Sequence, residues 1–372
     1  MIKIGITGVK GFIGTHLRYE IGLYPENYII VDFENHFFKD HEKLDDFCKK
    51  SDVIVHLAAL NRHENEQILY DTNIALASIL VESLNRTGTR PHIIVSSSTQ
   101  ETKGNFYGAS KRLAREILAD WAKEKKAKFT GLVIPNVFGP FGKPNYNSVV
   151  ATFCNQIVHG IKPEIHIDAS IHLIYVGELV KIIREIIDVG CESELLIINH
   201  CAEILVSELL NKLQGFKETY LNQKSIPTLN NKFDIYLFNT FRSYIDVESY
   251  FPQKFKMNND ARGSFVEIIR IDSGGQTSFS TTNPGITRGN HFHTRKIERF
   301  AVIKGKALIQ LRRIGDSKVI EFYLEGNEPA FVDMPVWYTH NIKNIGEDIL
   351  YTIFWINEFY NPKDADTYFE TV

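Results

Sequence analysis

The chain has 372 residues, 44% of them hydrophobic and 23% charged, with a formal charge of −3. That length favours two domains over one, and that composition is enough to build real cores. The near-balanced charge excludes a basic nucleic-acid surface, and no apolar run reaches membrane-spanning length, so neither a nucleic acid nor a membrane is an expected partner.

The chain starts in a strand-like run, Met1 to Ile6, without the longer apolar core and cleavage site of a secretory signal. A cytoplasmic location is the expectation. Through about residue 180, short apolar strands alternate with helical patterns. This predicts a parallel sheet flanked by helices, an α/β doubly wound fold of Rossmann type. Strands are expected at 2–7, 28–32, 53–57, 92–96 and 129–134, and helices near 12–21, 73–85 and 110–125. A helix near 178–188 and the segment to about Tyr220 continue the α-rich part. From about Phe251 the texture changes to short strands between turn signals: Gly274-Gly275, Asn283-Pro284-Gly285, Gly315-Asp316, Gly326-Asn327 and Gly346-Glu347. That spacing predicts an all-β sandwich or barrel. The boundary falls near Tyr244–Met257, where Pro252 and a Lys/Asn-rich stretch interrupt the pattern, dividing the chain into 1–247 and 248–372. Cys48, Cys154, Cys191 and Cys201 have no metal or redox spacing and read as free thiols.

Two stretches carry chemistry in the first part. Thr7-Gly8-Val9-Lys10-Gly11-Phe12-Ile13-Gly14 follows the first strand and opens the first helix. Glycines there permit a tight turn and let a pyrophosphate approach the helix N-terminus. Asp32, ending the second strand, suits a ribose diol and so favours NAD, while Lys10 and Lys39 could offset it toward NADP. The second stretch is Tyr107-Gly108-Ala109-Ser110-Lys111. On a helix Tyr107 and Lys111 share a face, and an ammonium beside the phenol would lower its pKa toward neutrality, making Tyr107 a proton donor to a ketone receiving hydride. Ser98, or less directly Thr99, could supply a hydroxyl to the same oxygen.

The second part holds Gly285-x5-His291-x-His293-x4-Glu298-x6-Gly305. Imidazoles two residues apart share one face of a strand, and a carboxylate follows after a bend. That is a three-ligand set for a divalent metal. Zn²⁺ fits it, as do Fe, Ni and Mn, which ligand type alone does not separate. Lys296, Lys304, Tyr338 and Lys343 lie near and read mostly as rim residues.

The first part resembles the extended short-chain dehydrogenase/reductase family. The resemblance rests on Thr7 to Gly14, His56-Leu57-Ala58-Ala59, Asn73, Ser96 to Ser98, Tyr107/Lys111 and Pro135-Asn136-Val137-Phe138-Gly139-Pro140. It implies that Gly8, Lys10, Gly11, Phe12, Ile13, Gly14, Asp32, Leu57, Ala58, Asn73 and Lys111 bind the dinucleotide. It also implies that Ser98, Tyr107 and Lys111 are catalytic, across a shorter Ser-to-Tyr gap than the family's usual one. The second part resembles the cupins. Their second motif is similar to Pro335-Val336-Trp337-Tyr338-Thr339-His340 with Asn344, where Trp337 replaces the usual glycine, and it implies His340 as fourth metal ligand.

The pairing of the two is similar to a family of capsular polysaccharide biosynthesis enzymes. Lys143 to Val149, Ala151 to Cys154, Asp260 to Phe265, Arg288 to His291 and Asp366 to Phe369 add to this likeness. The 143–154 stretch is either a polar loop or a wall of a sugar-nucleotide pocket. The resemblance implies NADPH as cofactor, with NADH the alternative, and a UDP-linked 2-acetamido-2,6-dideoxy-4-hexulose as substrate on the route to UDP-N-acetyl-L-fucosamine. The cupin would epimerise C3, and the reductase would then reduce the C4 ketone to UDP-2-acetamido-2,6-dideoxy-L-talose. The competing readings are a reductase with a structural cupin and a dinucleotide-sensing regulator. Exposed cupin sheet edges make a homodimer the expected assembly.

Overall fold

The computed structural model describes residues 1–271 and 273–372. Strands β1 (Ile2–Thr7), β2 (Tyr28–Val31), β3 (Val53–His56), β4 (His92–Ser98) and β5 (Phe129–Ile134) stand where apolar runs predicted them. The next strands are β6 (Asn136–Phe138), β7 (Ser170–Tyr175), β8 (Ser193–Ile197) and β9 (Ala202–Leu205). The main sheet runs β2-β1-β3-β4-β5-β8, parallel throughout. The sheet β6-β7-β9 was not foreseen, nor was β8: the region after residue 180 is not simply α-rich. β8 and β9 have only five and four residues and are largely exposed, which leaves little periodic signal.

Helices α1 (Phe12–Gly22), α2 (His41–Lys50), α3 (Glu66–Thr87), α4 (Phe106–Lys125), α5 (Val149–Val158) and α6 (Val176–Val189) accompany them. The strands read as unbroken apolar runs because both sheet faces are covered. Ile54, Ile93 and Val95 pack with residues of α2, α3 and α4, whereas Val53, Val55 and Ile94 pack with residues of α1 and α6. Helix α3 starts seven residues before its apolar period does, because the Asn65 side chain accepts from the N–H groups of Gln67 and Ile68. Asn105 caps α4 in the same way, accepting from Gly108 at 2.7 Å, and so brings Tyr107 into the first turn.

After α7 (Val206–Phe216), α8 (Lys232–Arg242) and α9 (Val247–Tyr250) come β10 (Gln253–Lys254), β11 (Met257–Asp260), β12 (Gly263–Val266), β13 (Gln276–Thr282), β14 (Thr287–Phe292), β15 (Glu298–Lys304), β16 (Lys306–Arg313), β17 (Val319–Glu325), β18 (Ala330–Met334), β19 (Tyr338–Asn344), β20 (Leu350–Ile356) and β21 (Tyr368–Phe369). Two antiparallel sheets, β10-β18-β15-β20-β13 and β17-β16-β19-β14-β21, form the all-β cupin barrel, with β11-β12 as a separate hairpin. Phe300, Val302, Ile309, Leu311, Phe322 and Val332 fill it.

By packing, the chain forms two compact units, residues 1–152 with 167–206 and residues 153–166 with 207–372. The division at 247/248 expected from sequence is therefore not where packing divides the chain. Residues 207–247 associate with the barrel because Tyr220 donates to Asp333 at 2.8 Å, and Arg242 donates to the Met334 carbonyl at 2.9 Å. Asp333 also takes two bonds from Arg299, at 2.7 and 2.9 Å, with both side chains buried. Among the described residues no helix is long and apolar enough to cross a membrane.

Candidate functional site

The glycine turn closes between β1 and α1. Gly8 has φ +73°, and a Cβ there would stand 2.9 Å from the Ala58 nitrogen; a Cβ on Gly14 would stand 2.3 Å from the Gly8 carbonyl. Leu57 and Ala58 lie against this turn, donating to the Thr7 carbonyl and Thr7 Oγ1 at 3.2 and 3.3 Å. Among the described residues no side chain caps α1 at Gly11, so the first N–H groups of the helix are left for an anion. That arrangement fits a dinucleotide pyrophosphate. Lys10 and Asp32 are exposed at its edges, and Phe12 and Ile13 are half-buried.

Tyr107 and Lys111 share a face of α4, but their electrostatics differ from expectation. The Tyr107 phenol donates to Asn61 Oδ1 at 3.2 Å, and burial, with a smaller effect of Tyr146, pushes its pKa up to about 12. Lys111 Nζ instead donates to Ser96 Oγ at 3.4 Å, and burial lowers its pKa to about 8 against a smaller opposing pull from Glu101. The expected fall of the phenol toward neutrality is therefore not what this site does by itself. Desolvation governs the phenol, and the same burial lowers the pKa of Lys111 without discharging it at neutral pH.

Ser98 ends β4 and accepts from Gln100 N–H at 3.2 Å. The short link to Tyr107 is a single turn of 3₁₀ helix (Thr99–Thr102) laid on α4, so closely that a Cβ on Gly108 would fall 1.9 Å from the Gln100 carbonyl. Glu101 and Arg115, paired twice at 3.0 Å and buried, fasten the turn to the helix. Asn73 is buried, and both its amide N–H groups are committed, to the Leu60 carbonyl and Ser110 Oγ at 3.0 Å each. It also accepts from Leu60 N–H at 2.7 Å, while Ser110 bonds the Tyr107 carbonyl at 2.8 Å. Asn73 thus ties segment 60–61 to the helix that carries Tyr107. Asn61 was not found by sequence reasoning, for it has no motif spacing. His56 is buried at a strand end with Nδ1 2.9 Å from Thr7 Oγ1, and its pKa is lowered to about 3 by burial and Lys111. Residues 145–149 and Thr152 line a cavity of about 510 Å³ together with Arg62.

In the barrel the four expected residues converge. His340 on β19 is the register partner of His291 on β14, and their ring centroids lie 4.6 Å apart. His293 Nε2 and His340 Nε2 stand 3.2 and 3.3 Å from Glu298 Oε2. Among the described residues none gives these three buried atoms a hydrogen bond, and the ligand atoms of the four residues lie within 4.8 Å of one another. Each such orphan costs about 1–3 kcal/mol unless something satisfies it. A divalent cation does so for all of them, and the residues fit one. The outward nitrogens are spoken for: His293 Nδ1 meets the Asp366 carbonyl at 2.5 Å and His340 Nδ1 the Tyr338 carbonyl at 3.2 Å, which aims Nε2 inward.

Burial, then His340 and His293, lower the His291 pKa to about 4. Burial raises the Glu298 carboxylate, but the His293 and His340 imidazoles standing 3.2 and 3.3 Å away more than offset it and hold it well below its usual range.

Three further observations complete the centre. Asp366 also accepts through its carboxylate from Thr294, Arg295 and Lys296 N–H groups at 3.0–3.1 Å, fixing the loop that carries His293. Lys296 is not a rim residue; it is buried, with Nζ 2.5 Å from the Ala365 carbonyl. Trp337 keeps the conformation of the glycine it replaces, φ +62°, and its buried ring stacks on Phe292 at 5.6 Å.

The NAD dependent epimerase/dehydratase family matches residues 4–194, and a polysaccharide biosynthesis C-terminal domain matches residues 258–368. Over 99% of this chain and 98% of the relative, the sequence is 32% identical to the UDP-2-acetamido-2,6-beta-L-arabino-hexul-4-ose reductase of Pseudomonas aeruginosa. The capsular polysaccharide assembling protein CapF of Staphylococcus aureus superposes over 100% of both chains at 35% identity, with a TM-score of 0.64. A second CapF structure, with the inhibitor 3-isopropenyl-tropolone, matches 100% of both chains at 32% identity and a TM-score of 0.60. Since this likeness runs through both units without a break, the chain belongs, with CapF, to the NAD dependent epimerase/dehydratase family, in the group whose reductase fold continues into a cupin.

Proposed function

We propose that the protein is a bifunctional enzyme of polysaccharide precursor synthesis acting on a UDP-linked 2-acetamido-2,6-dideoxy-4-hexulose. The reductase domain (1–247) reduces the C4 ketone, and the cupin (248–372) epimerises C3 beforehand, giving UDP-2-acetamido-2,6-dideoxy-L-talose. The end-to-end similarity to a reductase of that substrate class carries the reading, with Tyr107 and Lys111 present at the matching motif. When bound, NADPH supplies hydride to C4 and a divalent cation, of which Zn²⁺ suits three imidazoles and a carboxylate, polarises the ketone. NADH is the alternative that Asp32 favours.

Gly8, Gly11 and Gly14, with Lys10, Phe12, Ile13, Asp32, Leu57 and Ala58, would hold the dinucleotide; His291, His293, Glu298 and His340 would hold the cation. Asn61 holds the Tyr107 phenol in place with its proton still on it, as befits a general acid of high pKa. The proton goes to the C4 oxygen as hydride arrives at carbon. Lys111, still charged at neutral pH, stabilises the resulting phenolate. Ser98 presents a hydroxyl at the end of β4, the place from which it would bond the same oxygen. The order follows from the chemistry. A ketone acidifies its neighbouring C–H, so the C3 proton must be exchanged before that ketone is reduced. Tropolones chelate metals through paired oxygens, so such an inhibitor on a CapF structure supports a metal in the cupin.

The test is product identification by NMR after incubation with the 4-keto sugar nucleotide and NADPH. A product without inverted C3 would leave a reductase alone, and unconsumed NADPH would remove the reductase as well.

A further inference from the structure

The cavity beside Tyr107 contains a cation that neither the reaction nor the motifs account for. Arg62 is exposed, and among the described residues its guanidinium makes one hydrogen bond, from Nη1 to the Tyr146 carbonyl at 3.2 Å. The other cavity-lining side chains are polar or small and neutral: Asn145, Tyr146, Ser148 and Thr152 among them. The segment that carries Arg62 is fixed. Leu60 is held through both backbone groups by Asn73, and Asn61 by the Tyr107 phenol. The opposite wall is fixed too, with Asn145 N–H donating to Thr152 Oγ1 at 3.0 Å and the Ser148 hydroxyl accepting from Ala151 N–H at 3.3 Å. Lys143 Nζ lies 5.2 Å from the centroid of the Tyr146 ring, a second positive charge close to one of the lining residues.

Asn61 and Arg62 are neighbours in the chain. One touches the proton donor; the other faces the cavity. A sugar nucleotide has the same arrangement, with the reacting C4 on one edge of the pyranose and the diphosphate on the opposite edge at C1. The cofactor's own pyrophosphate is accounted for at the glycine turn, so a cation at the reactive end answers to a different anion. A guanidinium with four unengaged N–H groups matches phosphate oxygens in pairs.

We propose that Arg62 is a specificity-determining residue that binds the diphosphate of the sugar nucleotide and thereby sets C4 against Tyr107. This deepens the proposed function and rests on it.

Calorimetric titration of the full chain with UDP and with uridine tests it. Wild type is expected to bind UDP more tightly than uridine. Arg62→Ala should lower UDP affinity roughly ten- to a hundredfold, the range of a charge-assisted pair, and leave uridine and NADPH binding and the thermal midpoint unchanged. Arg62→Lys should recover part of the loss, because a point charge replaces a paired donor. If Arg62→Ala binds UDP as well as wild type does, Arg62 has no such role. Equal loss of UDP and uridine would make it only a strut for the Tyr146 loop and overturn the assignment. Wild type that binds no UDP would sink the sugar-nucleotide reading itself, a result distinct from either.

Discussion

Lys111 is predicted to make the protein less stable than a neutral residue of the same shape would. Its ammonium is buried, with Ser96 Oγ at 3.4 Å as hydrogen-bond partner, and its pKa falls from 10.5 to about 8. At 1.36 kcal/mol per pKa unit, carrying that charge into the fold costs about 3 kcal/mol. Lys111→Met removes the charge and keeps an unbranched stem. Ser96 is not orphaned, since its hydroxyl bonds the His56 carbonyl at 3.3 Å. Allowing for the lost bond, the variant should be more stable by about 2 kcal/mol at pH 7, roughly 4–8 °C in the midpoint of a unit this size.

The pH dependence separates this cause from others. Between about pH 8 and 10.5 the unfolded chain holds a proton on Lys111 that the native state has shed, so wild-type stability rises with pH there. The advantage of the variant is therefore full below pH 8 and vanishes toward pH 10.5. Thermal unfolding of both proteins without NADPH across that range measures it, and NADPH oxidation should be lost in the variant throughout. A variant less stable than wild type at pH 7, or a gap that does not close as pH rises, would refute a charge held at a desolvation cost.

Three other outcomes are expected. Tyr107→Phe should lower NADPH oxidation by about 10²–10⁴-fold while deuterium uptake at C3 continues in D₂O; loss of both would break the two-site picture. His291→Ala should lower metal content, read by elemental analysis, and lower the barrel's unfolding midpoint, with NADPH affinity unchanged. Trp337→Gly restores the usual cupin residue and relieves about 1 kcal/mol of left-handed strain, but it deletes a buried indole worth about 3–5 kcal/mol. The barrel should lose about 2–4 kcal/mol by denaturant titration, and a stabilised variant would show that the stacking on Phe292 contributes little.

The parts legible from sequence were those whose chemistry forces local spacing. Gly8, Gly11 and Gly14 are dictated by backbone approach within one turn, and Tyr107 and Lys111 by one turn of helix. His291, His293 and Glu298 lie within eight residues, on β14, the bend after it and the start of β15. Parallel strands buried on both faces announced themselves as apolar runs. The partners of these groups were not legible, because they arrive from far along the chain. Asp366 meets His293 across 73 positions, and Asn61 meets Tyr107 across 46. Nor could spacing disclose the ionisation of Tyr107. Proximity of a lysine predicts a lower phenol pKa only where desolvation of the phenol is small, and here burial is the largest effect on it.

Trp337 shows what a sequence motif encodes. A glycine at that turn is ordinarily read as a need for φ above zero, and on that reading tryptophan should distort the geometry that delivers His340. Instead the backbone adopts φ +62° with the indole in place, and Trp337 N–H donates to the His293 carbonyl at 2.8 Å. The motif therefore constrains a dihedral angle, and glycine is only its least costly solution. Where a large ring finds a buried face, packing exceeds the strain by a few kcal/mol. The hydrogen bond from this turn to His293, just past β14, also means that the two cupin motifs are joined through their backbone independently of any cation. Metal affinity in this chain should accordingly depend on the packing of Trp337 against Phe292 as well as on the four ligands themselves.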